Sequence, residues 1–112
     1  MNDLINEEKE IVKKQKMLVT ETFKEICDKQ TKETINPCGI PFEVDVFFLG
    51  KYKIIIRFDY LECIYNEKFL SSIEFLNIDT LNITDKSIVF YCTNRTQQPY
   101  NKDNYKKILR RY

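Results

Sequence analysis

The 112-residue chain contains no histidine, no tryptophan and no alanine, and it has only two glycines, Gly39 and Gly50. The lack of histidine excludes a Cys–His zinc site and a histidine general base. Two isolated glycines cannot form the glycine-rich loop that cradles phosphate groups. None of the four cysteines is spaced as Cys-x-x-Cys, so we expect buried free thiols in a reducing compartment. We therefore predict no metal and no cofactor.

Long hydrophobic runs are also missing. No segment approaches the roughly 18 apolar residues that a membrane span needs, and the first 20 residues hold no signal-like apolar stretch. We therefore expect a cytoplasmic protein without a membrane partner. The 18 Lys and Arg nearly balance the 17 Asp and Glu, which argues against a strongly basic nucleic-acid binder.

What the chain does contain is typical of one folded domain over residues 1–112. Hydrophobic residues make up 43% of it and aromatic residues 13%, which is too apolar for a disordered segment. Ile, Lys and Asn supply 37 of the 112 residues. Their codons are AT-rich, so this bias indicates an AT-rich genome, such as that of a bacterium or a phage.

Periodicity predicts an α+β fold with a long N-terminal helix packed on a small antiparallel sheet. Apolar residues recur about seven apart from Leu4 to Cys27, which predicts an amphipathic helix from Asp3 to Lys29 that a break near residue 20 could interrupt. The segment Asn36–Pro41, with two prolines and a glycine, predicts a turn. Alternating residues from Phe42 to Tyr60 predict a hairpin over 42–60.

The register of this hairpin is predicted from its charges. A two-residue turn at Gly50 and Lys51 would place Lys53, Arg57 and Asp59 on the apolar face, so we expect an odd-length loop or a bulge at Gly50. After the hairpin, apolar residues at helical spacing predict a short helix over 67–76 that begins after Asn66, and a strand over 70–78 is the alternative. Residues 87–92 predict a buried strand that completes the sheet.

The C-terminal segment has the only clear charge asymmetry. Residues 103–112 predict a short helix that is capped by Asp103 and ends in basic residues, which suit the helix dipole. We predict partner contacts from its aromatic and basic side chains, namely Tyr105, Lys106, Lys107, Arg110, Arg111 and Tyr112. An alternative is a nucleic-acid site of Lys102, Lys106, Lys107, Arg110 and Arg111, with Tyr100, Tyr105 and Tyr112 available for stacking on bases.

Catalytic candidates are few. Cys38, which lies in the proline–glycine turn, is the best nucleophile candidate, but the chain has no histidine to activate it. Glu43 and Asp45 share a strand face, which is also the pattern of a solvated sheet face. We therefore predict that the protein is not an enzyme.

The chain is similar in general style to toxin-immunity proteins and phage-encoded inhibitors. Like them it is small, has mixed charge and an AT-rich origin, and lacks histidine and a recognisable site. This similarity includes no motif and transfers no residues. It favours a protein that binds and inhibits a macromolecular partner, such as a toxin or nuclease. A nucleic-acid-binding module that uses the basic tail is the alternative function.

Overall fold

The computed structural model describes residues 3–96 and 103–111 of the chain. Within these residues one helix is followed by strands that form two antiparallel sheets, a five-stranded sheet in the order β1-β2-β3-β4-β5 and a three-stranded sheet in the order β6-β7-β8. The elements are α1 (Asp3–Ile26), β1 (Lys29–Ile35), β2 (Phe42–Leu49), β3 (Tyr52–Ile56), β4 (Tyr60–Tyr65), β5 (Lys68–Glu74), a 3-10 turn (Phe75–Asn77), β6 (Ile78–Ile83), β7 (Ser87–Thr93) and β8 (Asn104–Arg110).

The chain divides into two compact units. The five-stranded unit is Thr20–Ile73, and the three-stranded unit combines the chain up to Val19 with the chain from Glu74 onward. Each unit has buried apolar side chains, including Phe47, Ile54 and Leu61 in the first and Phe75 and Phe90 in the second. α1 is not apolar enough to cross a membrane, and no other helix of sufficient length lies in the described ranges.

The predicted N-terminal helix is confirmed, and α1 runs unbroken through Thr20 and Thr22 to Ile26. Its last part belongs to the five-stranded unit, where the buried Phe23 stacks on Phe47 with ring centroids 5.9 Å apart. Asp28 follows the helix and joins it to the sheet in two ways. Its N–H donates to the Phe48 carbonyl at 2.8 Å, and its carboxylate accepts the Gly50 N–H at 2.8 Å. These bonds fix the path from the helix into the sheet.

Sequence periodicity did not identify β1. This strand pairs with β2 from Lys29 opposite Phe48 to Ile35 opposite Phe42. Three of its seven residues, Thr31, Thr34 and Ile35, are β-branched, and its partly buried positions alternate. The predicted turn at 36–41 therefore joins β1 to β2, with Gly39 in the left-handed region at φ 81°.

The predicted register of the hairpin is wrong. Asp45 lies opposite Ile56 and Leu49 opposite Tyr52, which leaves a two-residue turn of Gly50 and Lys51. Gly50 has φ 58° and Lys51 does not have a positive φ, which matches a type II′ turn with glycine first. The second strand is also shorter than predicted, because β3 ends at Ile56 and the chain turns before β4.

Two of the three charges that argued against this register, Lys53 and Arg57, are neutralised by neighbouring strands, and Asp59 is exposed in the bend before β4. Lys53 of β3 forms a 2.9 Å ion pair with Glu33 of β1, and its ammonium lies 5.9 Å from the centre of the Phe48 ring. Since β2 lies between β1 and β3, this ion pair passes over β2 on the face that carries Val44 and Val46. Arg57, which directly follows β3, forms an ion pair with Glu62 of the adjacent strand β4. The sheet therefore keeps apolar side chains buried on both faces.

The helix predicted over 67–76 is also wrong, and the alternative strand over 70–78 is closer. Asn66 and Glu67 have φ angles of 52° and 71°, the pair of positive values that defines a type I′ hairpin turn. Asn66 therefore begins a turn into β5 rather than a helix. The 3-10 turn then leads into β6.

The fold as predicted needs two further corrections. The hairpin and the strand predicted over 87–92 do not share a sheet, because β7 is the centre of the separate three-stranded sheet. The predicted C-terminal helix is instead the strand β8, paired with β7 from Ser87 opposite Arg110 to Thr93 opposite Asn104. Its side chains alternate between the two faces with the period of a strand, and β7 supplies the backbone partners. The α+β class, the N-terminal helix and the strand over 87–92 are confirmed, whereas the single sheet and the C-terminal helix are wrong.

Candidate functional site

The basic and aromatic residues of the C-terminal segment lie on β8, and the strand period divides them between two faces. Tyr105 and Lys107 are opposite the buried residues Cys92 and Phe90, so they share the inner face of the sheet. Lys106 lies opposite Tyr91 on the outer face. Ile108 and Arg110 follow on this outer face at intervals of two residues. The structure therefore does not gather the predicted residues into one patch.

Tyr105 and Lys107 are half-buried on the inner face. Tyr105 lies directly opposite the buried Cys92 of β7. Burial is the largest cause of the raised pKa of the Tyr105 hydroxyl, and burial likewise raises the pKa of the Cys92 thiol. Both groups stay protonated at neutral pH, and Tyr105 forms part of the inner packing.

The outer face is where the predicted residues are accessible. Lys106, Ile108 and Arg110 are exposed, and Ile108 has 55% of its surface accessible. The Lys106 ammonium lies 5.4 Å from the centre of the Tyr91 ring, a cation–π distance. The result is a short row of cation, apolar side chain and cation along one strand. We call Lys106, Ile108 and Arg110 the outer row.

Arg111 anchors the end of the segment. Its N–H donates to the Lys86 carbonyl at 2.8 Å, and its guanidinium donates to the Thr84 carbonyl at 2.7 Å. These two bonds attach the residue to the turn between β6 and β7. Tyr100, Lys102 and Tyr112, also named from the sequence, lie outside the described residues.

A polar network that the sequence analysis missed lies at the other end of β7. The Asp79 carboxylate forms an ion pair with Arg95 and accepts a hydrogen bond from the Thr93 hydroxyl. Arg95 also donates to the Leu76 carbonyl at 3.0 Å, and Asn104 Oδ1 lies 3.0 Å from the Thr93 hydroxyl oxygen. Sequence spacing could not reveal this network, because its members come from three strands, the 3-10 turn and a loop.

Asn77 is the buried centre of the adjoining turn, with only 6% of its surface accessible. Its side chain accepts the Arg95 N–H at 2.8 Å and donates to the Thr96 hydroxyl at 3.0 Å. In the structure, Arg95 and Thr96 hold the chain that leaves β7 against the 3-10 turn.

A pocket of about 350 Å³ lies between this network and the outer row. Both oxygens of Asp79 are engaged, one by Arg95 and the other by Thr93, so the carboxylate is already neutralised. Lys106 contributes a further positive charge at the rim. The lining residues of the pocket are Asp79, Tyr91, Cys92, Asn104, Tyr105 and Lys106.

The catalytic candidates do not come together. Cys38 is exposed in the turn before β2, and Cys63 and Cys92 are buried thiols. Glu43 is exposed and Asp45 half-buried on β2, but their face of the strand also carries the buried Phe47 and Leu49, so the expected solvated sheet face is not present. Among residues 3–96 and 103–111, no three acidic or cysteine side chains are grouped closely enough to hold a metal ion. Compared with known proteins, the chain matches no family model, no curated protein and no solved structure.

Proposed function

We propose that this chain is a non-catalytic cytoplasmic protein that binds and inhibits a protein partner, of the toxin-inhibitor or phage-inhibitor kind, through the outer row. The single observation that supports this proposal is the exposed Ile108 between two exposed cations, Lys106 and Arg110. An apolar side chain with a charged surround is the anatomy of a protein–protein interface. The free cysteines agree with a reducing compartment.

The nucleic-acid alternative receives less support from the same strand. Lys107 lies on the inner face, away from Lys106 and Arg110, so the basic residues do not form one stripe along a phosphate backbone. The Tyr91 ring is covered by the Lys106 ammonium rather than open for a base to stack on it. A protein partner with an acidic surface fits this arrangement better.

The test is capture of the partner from a lysate of the source organism with the tagged chain, with and without nuclease. We expect one stoichiometric protein that survives nuclease treatment and is lost with Ile108→Glu. The matched control is Ile40→Glu, which alters an isoleucine that is 72% exposed in the five-stranded unit and should leave capture unchanged. Circular dichroism and thermal unfolding would show that both variants are folded.

The captured protein then provides the functional readout. We expect the purified chain to reduce the partner's activity with one-to-one stoichiometry, and Ile108→Glu to abolish that inhibition. Capture that is equal for the two variants would contradict the outer row as the site. Nucleic acid recovered in place of a protein, and lost on nuclease treatment, would favour the alternative function.

A further inference from the structure

The hydrogen bonds at the two ends of β8 determine which of its backbone groups face β7. The Asn94 N–H donates to the Asp103 carbonyl and the Arg111 N–H donates to the Lys86 carbonyl, and both pairs continue the β7–β8 register. In an antiparallel ladder, directly bonded pairs alternate with non-bonded pairs. Tyr105, Lys107 and Leu109 therefore bond to β7. The N–H and C=O groups of Lys106 and Ile108 point away from β7, towards the open side of the strand.

The two edges of this sheet differ. At β6, the first edge, the side-chain amide of Gln15 from α1 donates to the carbonyls of Ile78 and Asp79 at 2.8 and 3.0 Å. In the part of the chain that the structure describes, β8 is the other edge and no further strand pairs with it. β8 is seven residues long and contains no proline, so it is suited to pairing with an additional strand.

The charged side chains of β8 determine which strands can pair with this edge. If a second copy of β8 paired antiparallel about Ile108, Lys106 of each strand would lie opposite Arg110 of the other, and like charges directly opposite are destabilising. A segment with acidic residues four positions apart would instead meet Lys106 and Arg110 with opposite charges. An apolar residue between its acids would lie beside Ile108. The same cations therefore oppose self-pairing and favour an acidic strand.

We propose that β8 binds an extended acidic segment of the protein partner as a fourth strand of the β6–β7–β8 sheet. This proposal rests on the proposed function and specifies how the outer row is used. Backbone hydrogen bonds from Lys106 and Ile108 hold the segment, and its alternating side chains give the specificity. The sequence pattern that β8 recognises in this segment is five residues long: an acidic residue, any residue, an apolar residue, any residue and a second acidic residue.

The probe is a dye-labelled heptapeptide with blocked ends and the sequence TETVTET, and its binding is measured by fluorescence anisotropy. One matched control is TKTVTKT, which reverses the charges. Two further controls are TETVTET peptides with N-methyl groups at alternate backbone positions. In each of these two peptides the N-methyl groups block hydrogen bonding along a different edge of the peptide strand. We expect binding of TETVTET to exceed that of TKTVTKT by about tenfold, and one of the N-methylated peptides to lose about tenfold as well. The double variant Lys106→Glu/Arg110→Glu should reverse the preference between the charged peptides.

Amide hydrogen exchange locates the contact. We expect TETVTET to slow the exchange of the Lys106 and Ile108 amides, while the Lys107 and Leu109 amides, already bonded to β7, change little. Equal binding of TETVTET and both N-methylated peptides would overturn strand addition. A dimer of the chain formed through β8, or tighter binding of single-stranded DNA than of the peptide, would also overturn it.

Failure of this proposal can be distinguished from failure of the proposed function. If Ile108→Glu abolishes capture of the partner but TETVTET does not bind, the partner contacts the outer row without adding a strand. If Ile108→Glu leaves capture intact, the outer row is not the partner site and the proposed function fails.

Discussion

Glu67 adopts a backbone conformation that is uncommon for a residue with a side chain. Its φ of 71° follows the 52° of Asn66 in the two-residue turn between β4 and β5. Asparagine tolerates the left-handed region, but glutamate there costs on the order of 1 kcal/mol relative to glycine. The pairing of β4 with β5 therefore imposes this turn, and the local sequence does not favour it. Because strand pairing rather than local sequence determines this turn, the residues after Asn66 gave no sign of it, and their apolar spacing suggested a helix.

Replacement of Glu67 with glycine should stabilise the protein. We expect Glu67→Gly to raise the free energy of unfolding by about 1 kcal/mol, because glycine takes a positive φ without steric strain. Urea unfolding followed by circular dichroism measures this change. The matched control is Lys51→Gly in the other two-residue turn, where φ is not positive and glycine should destabilise by about 0.5 kcal/mol. A Glu67→Gly chain less stable than the parent would contradict the strain at this position.

At the scale of the element, neighbouring strands decided what the hairpin sequence left ambiguous. Taken alone, the β2–β3 pair with a two-residue turn leaves Lys53 among apolar side chains. β1 removes this conflict, because Glu33 pairs with Lys53 at 2.9 Å across β2. The register could not be predicted from residues 42–60, since the neutralising carboxylate belongs to a strand that periodicity had not identified.

The interaction of Lys53 with Glu33 can be measured by a double-mutant cycle. Lys53→Glu should destabilise the chain by placing two carboxylates together, and Glu33→Lys in the same chain should recover part of the loss. Both side chains are partly exposed, at 32% and 41%, so we expect a coupling energy of only about 0.5 to 1 kcal/mol. Free energies of unfolding from urea titrations at low and high salt provide the measurement. Strictly additive effects would show that the ion pair does not stabilise this register.

At the scale of the whole molecule, the Cys92 thiol and the Tyr105 hydroxyl of the three-stranded unit link stability to pH. Burial raises the pKa values of Cys92 and Tyr105 above their ordinary values of 9.0 and 10.0. The unfolded chain therefore loses these protons at lower pH than the folded chain. Between the unfolded and folded pKa values the unfolded state binds fewer protons, so stability falls as the pH rises. The stabilisation is present in full below a pH of about 9.

We expect the free energy of unfolding to decrease steadily as the pH rises above about 9. Tyr105→Phe removes one of the two titrating groups, so its stability should depend less steeply on pH above about 10. Removal of the hydroxyl also changes the polar surroundings of the half-buried ring, and the informative quantity is therefore the slope with pH rather than the absolute stability. Urea unfolding at steps of pH from about 7 to about 11 measures the slope. A slope equal to that of the parent chain would exclude Tyr105 as a source of the effect.

The sequence alone determined the features that depend on local chemistry. The helix α1, the turn that contains Gly39 and the strand β7 follow from side-chain periodicity and from backbone preferences, which each segment carries with it. The lack of histidine and of clustered glycine likewise excluded whole classes of site. These inferences needed no knowledge of which segments are neighbours.

Tertiary structure decided the strand pairings. Residues 104–110 carry basic side chains that suit a helix end, and only pairing with β7 makes them a strand that places Ile108 and Lys107 on opposite faces. The same holds for the register of β2 with β3, which depends on Glu33 of β1. Backbone hydrogen bonds and ion pairs between strands join residues far apart in the chain, so no local pattern contains them. For this reason the sequence named Lys106 and Arg110, but only the fold placed Ile108 between them on one face.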